Sequence, residues 1–283
     1  MTCSLTIVTP CLNAAAFVAE AIESVESQLP DDGQHLVIDG ASTDGTLEIL
    51  EGYPHLTVIS HEDDGLYHAL NEGIERAEGE IIGFLNTDDT YPPGTIDAVL
   101  AAFEETPDLE ALCGHAETVE DGRRIQYRRL KSKRGWWPPE LMFGAPCLNA
   151  RFFRTDFVKR VGPFSPRYRL AADREWLLSA ARALRRAGHL DRPTITYRVH
   201  PGSATLAPGA AARPAVVAQH LAIAEDLAQS GANVAEARAW AAWERWRLAG
   251  SAFDKFDVAL RSPGDLMRAI RLKNEVRDLV ELD

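Results

Sequence analysis

Asn86-Thr87-Asp88-Asp89 closes a short apolar run, Glu80 to Leu85. Adjacent carboxylates at the end of a buried strand present hard oxygen ligands at one point. Such ligands suit Mg2+ or Mn2+, which bind one or two carboxylates together with substrate phosphates. A metal held there acts as a Lewis acid on phosphoryl oxygen. The plainer reading is that the pair only caps the helix that restarts after Pro92. From these four residues both readings stand. Asp173 opens a later helical pattern, Ala171 to Arg186. A carboxylate there serves as a general base, or as a favourable charge on a helix N-terminus worth about 0.3–1 kcal/mol. Glu175 competes for the same task. His200 ends an apolar run before Pro201-Gly202 and reads as a third metal ligand or as a turn histidine.

The elements around these residues follow a regular order. Leu5 to Thr9, His35 to Ile38, Leu56 to Ser60 and Glu80 to Leu85 are short, β-rich apolar runs. Between them, Phe17, Ala21, Ile22 and Val25 recur at helical spacing, as do Leu47, Ile49 and Leu50, and Tyr67 to Ala77 reads as a helix. Ser42 or Thr43 can cap the second of these. Strands of about five residues alternating with helices of about twelve predict βαβ units and a mostly parallel sheet. Ligands bind such sheets beyond the carboxyl ends of the strands. Those ends carry Asn13, Asp39, Asp63, and Asp88 with Asp89. The coincidence predicts one acidic rim, suited to a metal and a sugar nucleotide.

Further along, Arg123 to Arg134 is basic and reads as a solvated, mobile segment, or as a contact for an acceptor or an anionic lipid. Pro193 to Val199 reads as a strand. Residues 207–218 are rich in Ala and Pro and suggest a linker. The helical tail beyond carries Trp240, Trp243 and Trp246 on one stripe, which predicts packing onto the core or across a dimer, with membrane-surface binding as the other reading. A boundary near residue 205 divides a 1–205 domain from a 206–283 helical extension.

Bulk properties narrow the class. The 283 residues carry a formal net charge of −12, which argues against nucleic acid as the main partner. A small anionic ligand is not excluded, because one metal ion or one helix N-terminus reverses the local field. The four cysteines lack C-x-x-C spacing and read as reduced thiols. No run reaches the roughly 18 apolar residues of a membrane span, and no signal-peptide pattern opens the chain. The expected location is cytoplasmic, with peripheral contact at the inner face of a membrane as an extension of that reading.

TIVTPCLNAAAFVAEAIESV, VIDGASTDGT and EDDGLYHALNEGIERAEGEIIGFLNTDDTY together resemble glycosyltransferase family 2. Order, spacing and strand context match over the N-terminal third. The nearest pattern is the subgroup with I-D-G-x-S-x-D-G-T and F-L-N-x-D-D, common in bacterial polysaccharide biosynthesis. Beyond it only Val161-Gly162-Pro163-Phe164 and Ala172-Asp173 match. The resemblance implies a GT-A, Rossmann-like α/β fold and an inverting transfer from a nucleotide-diphospho-sugar, UDP-sugar favoured, to a glycan or lipid-linked acceptor. It implies Mn2+ or Mg2+ as cofactor. It places Thr9, Pro10 and the loop to Asn13 against the nucleotide base. Asp39 accepts a hydrogen bond from the base, and Asp63 falls where the family keeps a base-contacting Asn or Asp. Asp88 takes the last position of the D-x-D motif and binds metal or the ribose and diphosphate. Asp89 shares the metal, and Asp173 is the general base.

Three positions depart from the family. Asn86 replaces the first Asp of D-x-D, and Gly40 replaces the second Asp of Asp-Asp-Gly-Ser. Leu70 stands beside Asn71 where the family has an Arg that meets the diphosphate. Charge neutralisation is therefore expected from the metal, from His68 or from the 123–134 run. A nucleotidyltransferase is the alternative enzyme, but Pro10-Cys11-Leu12-Asn13 lacks the glycine-rich phosphate loop. A dinucleotide oxidoreductase fails for want of G-x-G-x-x-G. A degenerate scaffold protein is the non-enzymatic alternative.

Overall fold

The structure, a computed structural model, describes residues 4–120, 122–130, 135–144, 147–202, 213–231, 233–249 and 252–282. Its first half alternates strand and helix: β1 (Leu5–Cys11), α1 (Val18–Glu26), β2 (Gln34–Asp39), α2 (Thr46–Leu50), β3 (Leu56–Ser60), α3 (Leu66–Arg76), β4 (Ile81–Phe84) and α4 (Thr95–Glu105). These strands pair in parallel in the order β3-β2-β1-β4, as the alternation predicts. Their carboxyl ends share one rim.

The sheet then turns antiparallel. β7 (Arg151–Arg154) pairs with β4, and β5 (Ala111–Glu120) pairs with β7. β8 (Ala187–Val199) lies parallel to β5 along nearly its whole length. β6 (Arg123–Leu130) forms a hairpin with β5 and receives the short β9 (Val280–Leu282). The basic segment is thus a paired strand over 123–130, not a free loop, because β5 offers it an open edge. Residues 131–134 lie outside the described residues.

Strand alternation divides the core between the two faces of the sheet, and a third, smaller cluster of Val18, Ile22, Val37 and Leu50 lies under α1 and α2. Leu5, Ile7, Ile81 and Leu85 face α1 and α4, while Val8, Leu36, Ile82 and Phe84 face α3. The α3 face also receives α5 (Pro138–Phe143), α6 (Thr155–Val161) and α7 (Ala172–Ala183). Trp176 of α7 is 1% exposed, meets Phe153 edge-on at 5.2 Å and donates to the Gly162 carbonyl at 2.7 Å.

The tail is α8 (Arg213–Gln229), α9 (Val234–Leu248), α10 (Ala252–Arg261) and α11 (Pro263–Leu279). The expected linker at 207–218 is corrected in part: 213–218 are already helical, since Pro214 falls in the first turn, where proline suits a helix start, and alanines follow it. Residues 207–212 lie outside the described residues. Trp240 is fully buried beside His220, with Arg174 of α7 5.9 Å from its ring centre. Trp243 and Trp246 stack at 5.2 Å under Lys273 and Lys255. The tryptophan stripe therefore packs within the chain. Among the described residues no helix is long and apolar enough to cross a membrane.

α3 lies close on β1 because Gly73 has no side chain. A Cβ there would sit 2.2 Å from Val8 Cγ1. Gly73→Ala is expected to destabilise the fold by about 1–3 kcal/mol through overpacking, read as a lower urea midpoint with an unchanged slope.

Candidate active site

The end of β4 folds into a tight turn, with the Asp89 N–H donating to the Asn86 carbonyl at 3.2 Å. The turn separates the two carboxylates. Asp88 points outward, its side chain 26% exposed. Asp89 points inward and is 1% exposed. One Asp89 oxygen accepts the Arg198 backbone N–H at 3.0 Å and the other accepts Asn149 Nδ2 at 3.1 Å. Burial and the neighbouring Asp88 charge push the Asp89 carboxyl up. Asp89, expected as a second metal ligand, turns both oxygens to donors of the protein interior in this structure.

His200 is the side chain brought beside Asp88. A bridge between Thr90 and Thr196 docks β8 on the turn, and Arg198 Nε donates to the Asp88 carbonyl at 3.2 Å. The strand then delivers His200, whose Nε2 is 3.2 Å from Asp88 Oδ2. The ring packs on Phe17 at 4.5 Å. The Gly202 N–H donates to Nδ1 at 3.2 Å, which leaves the Nε2 proton to meet Asp88. Asp88 and His200 thus stand together on the rim as one carboxylate and one imidazole; a divalent cation taken there would replace the Nε2 proton and move it to Nδ1, at the cost of the Gly202 contact.

The neighbouring loops brace one another. The Asn13 N–H donates to Ser42 Oγ at 2.7 Å, and Asn13 Oδ1 accepts the Thr43 N–H at 2.9 Å. Ala14 and Ala15 N–H donate to Thr46 Oγ1 and Asp44 Oδ2. Asn13 holds φ 49°, a left-handed conformation that Asn tolerates. Asn13 is therefore a loop clasp that joins the ends of β1 and β2. Asp39 is fully buried, accepting from the Ser42 N–H at 2.9 Å and Ser60 Oγ at 2.7 Å. Its carboxylate, expected to meet the base, ties the ends of β2 and β3 in this structure. Asp63 is the more accessible acid. Its Oδ1 accepts the Gly65 N–H at 2.7 Å and lies 3.3 Å from where a Gly40 Cβ would be. Gly40 therefore leaves room for Asp63. Thr9 is buried with its Oγ1 3.0 Å from His35 Nε2, and Pro10 is buried opposite Ile38, so neither side chain lines an open base pocket. Burial beside Asp39 also pushes the Cys11 thiol up to about 12, leaving it inert. Cys11, Cys113 and Cys147 are free thiols, as expected; Cys3 lies outside the described residues.

Asp173 stands in the first turn of α7, and Tyr67 Oη donates to its Oδ1 at 3.0 Å. Tyr67 begins α3 and packs on Phe164 at 5.6 Å, so the contact joins α3 to α7. Burial and the Asp173 charge push the Tyr67 hydroxyl up, which keeps it a donor. Glu175 is half-buried and accepts Ser179 Oγ at 3.1 Å; burial pushes its carboxyl up.

Of the expected sources of positive charge, His68 and the 123–130 part of the basic run lie within the described residues, and 131–134 do not. His68 is exposed on α3, and 123–130 form β6. Arg198 reaches the Asp88 turn, paired with Glu20 and 5.4 Å from the Phe17 ring centre. Period-2 alternation in β8 puts Thr196, Arg198 and His200 on one side, a signal that names Arg198 once His200 is considered. Asn149 has no comparable signal, because it precedes β7 in a single 3-10 turn. A cleft of about 840 Å³ opens at the amino ends of β4 and β5, but its charges pair among themselves: Arg154 with Glu80, Arg160 with Glu110, Arg186 with Asp108.

Comparison with known proteins bears on the family and the fold. A family model described as glycosyl transferase family 2 matches residues 6–158. The O-antigen biosynthesis protein RfbC of Myxococcus xanthus is 30% identical over 239 residues, covering 80% of this chain and 18% of that protein. The chain spans between 18% and 65% of the length of the curated relatives it matches. Among solved structures, S. aureus TarS 1–349 in complex with UDP-GlcNAc aligns with a TM-score of 0.66 at 19% identity, covering 98% of this chain and 82% of that one. The mannosyltransferase PcManGT of Pyrobaculum calidifontis, in complex with GDP-Man and Mn2+, aligns with a TM-score of 0.56 at 19% identity, covering 99% and 85%. These likenesses establish the GT-A fold.

The two carboxylates of the turn are expected to separate on mutation. Asp89→Ala strands the Arg198 N–H and the Asn149 amide, at roughly 1–3 kcal/mol for each group. Asp89→Asn recovers most of that, since Asn149 can flip its amide to meet the new donor. Asp88→Ala, on the exposed side, leaves stability within about 0.5 kcal/mol. Denaturant melts of the three variants check the order.

Proposed function

This chain belongs to glycosyltransferase family 2, and on that premise we propose that it transfers a sugar from a nucleotide-diphospho-sugar to an acceptor hydroxyl with inversion. The observation that carries the reading is the Asp88–His200 pair, 3.2 Å apart at the carboxyl end of β4. Asp88 and His200 would hold a divalent ion, and the imidazole favours Mn2+ over the harder Mg2+. That ion, when bound, neutralises charge on the departing diphosphate. Asp173 takes the proton of the acceptor hydroxyl, oriented by Tyr67, while Arg198 adds positive charge beside the metal pair. Asp63 is the accessible acceptor for the base. A UDP-sugar is the favoured donor, in keeping with the ligand of TarS.

The division into a 1–205 transfer domain and a 206–283 helical extension is part of the same reading. The tail braces α7 through Trp240 and Arg174, and α7 carries Asp173. The acceptor is a glycan or a lipid-linked precursor in polysaccharide biosynthesis. Exposed Leu260, Met267 and Ile270 beside Arg261, Arg268 and Arg271 favour the lipid-linked form at an anionic surface.

Two measurements test this. UDP, GDP, dTDP and CMP, each with and without Mn2+, are screened by thermal shift; a nucleotide at about 100 times its Kd stabilises by about 2.7 kcal/mol. UDP with Mn2+ is expected to give the largest shift, and Asp88→Ala to remove its metal-dependent part. The absence of any metal-dependent shift sinks the reading. Asp173→Asn is expected to lower transfer by about 10²- to 10⁴-fold with donor binding retained; unchanged turnover removes Asp173 from the role.

A further inference from the structure

A second cluster of ligand-type side chains lies on the β5–β8 ladder, apart from the Asp88 turn. Cys113 pairs with His189 and His115 pairs with Pro193, with a register shift between. Over that interval β5 advances two residues, 113 to 115, and β8 four, 189 to 193. The surplus bulges out of β8. Bulges re-aim side chains, and this one brings Asp191 back over β5. Asp191 Oδ1 lies 2.9 Å from His115 Nε2. The His189 ring stands 4.9 Å from the His115 ring at 59°, tilted rather than stacked. One ligand atom from each of the three residues lies within 4.8 Å of the other two.

The burial is graded. The His115 side chain is fully buried, whereas that of Asp191 is 63% exposed. The cluster has a closed inner side and an open outer one. Beneath it the bulge has no slack: a Cβ on Gly114 would lie 2.2 Å from Thr194 Cγ2, and Thr194 is fully buried.

We propose that His115, His189 and Asp191 bind a borderline transition-metal ion of the zinc class, which staples the β8 bulge to β5. Two imidazoles and one carboxylate are a recurrent zinc donor set, and the exposed side leaves a fourth position for water. Ligand atoms around tetrahedral zinc lie roughly 3.3 Å apart, as bond lengths near 2.0–2.1 Å require. The present cluster, with its ligand atoms within 4.8 Å of one another, would close to that spacing on binding. Mg2+ and Ca2+ are the wrong ions, because hard cations seek oxygen. The staple has a functional consequence. β8 goes on to deliver Arg198 and His200 to the Asp88 turn. Fixing the bulge fixes the phase of the strand, and with it the partner of Asp88. The ion is chemically distinct from the one proposed at Asp88, and its binding does not depend on the transferase reading.

The test uses the full chain, stripped with a chelator and titrated with Zn2+ in competition with a chromogenic chelator; Co2+ serves as an optical probe of tetrahedral ligation. One tight Zn2+ per chain is expected, with a melting temperature raised by Zn2+. Asp191→Ala lies on the exposed side and keeps the fold. It is expected to weaken Zn2+ by more than about 100-fold, beyond the 10–100-fold that loss of a mere outer partner brings. His189→Gln is expected to do the same, and Asp88→Ala to leave this binding unchanged. Wild-type binding retained in Asp191→Ala and His189→Gln overturns the proposal. So does Zn2+ binding that vanishes in Asp88→Ala alone, or Asp191→Ala lowering the metal-free melting point without altering Zn2+ affinity.

Discussion

The site rests on one buried carboxylate. Asp89 is 1% exposed and joins three segments distant in sequence: its own turn after β4, Asn149 before β7, and the backbone of Arg198 in β8. A carboxylate removed from water is costly unless hydrogen bonds replace its hydration. Here both oxygens are supplied, one by a backbone N–H and one by an amide. That need couples the end of a parallel strand to a distant edge strand. Without it β8 would be held to the turn by the Thr90–Thr196 bridge and by the Arg198 and His200 side chains on Asp88, and the strand backbone would lose its anchor beside that residue.

A similar division of labour runs along the rim. Asp39 anchors Ser42 and Ser60 from inside, while Asp63 lies over Gly40 and is more accessible. Asn13 and Asp44 clasp the first two loops together. In each case a motif of several polar residues contains one member that meets solvent and others that hold it there. A nucleotide gains from such bracing, because a loop already ordered loses less entropy on binding.

This division explains what was legible beforehand. Alternating strands and helices gave away the parallel half of the sheet, and strand ends gave away the rim, since both follow from local periodicity. Type and position also sufficed for Asp88, His200 and Asp173 as candidates. They did not separate Asp88 from Asp89, because two neighbours on a turn look alike until the turn chooses which faces inward. Nor did they show that Asp39 is sealed by its own serines. The antiparallel half was least readable. β6 looked like a basic loop, since its pairing depends on an edge of β5 that no local pattern announces. Asn149 was invisible for the same reason: its role is a contact 60 residues away in sequence.

Leu70 shows how the fold constrains where charge can enter. It is 2% exposed in the core under α3, and Gly73 on the same helix draws α3 onto Val8. An arginine at 70 would have to bury its guanidinium in that packed layer, or else push α3 off the sheet. The missing family cation is therefore not a simple deletion; the position has become core. Positive charge has to approach from another element, and Arg198 does so from β8, over Phe17 and against the Asp88 carbonyl. In a chain of net charge −12 this arginine, itself paired with Glu20, is a positive group that reaches the Asp88 turn. That arginine reaches the rim through the strand that Asp89 holds, so the buried carboxylate governs the charge as well as the shape of the site.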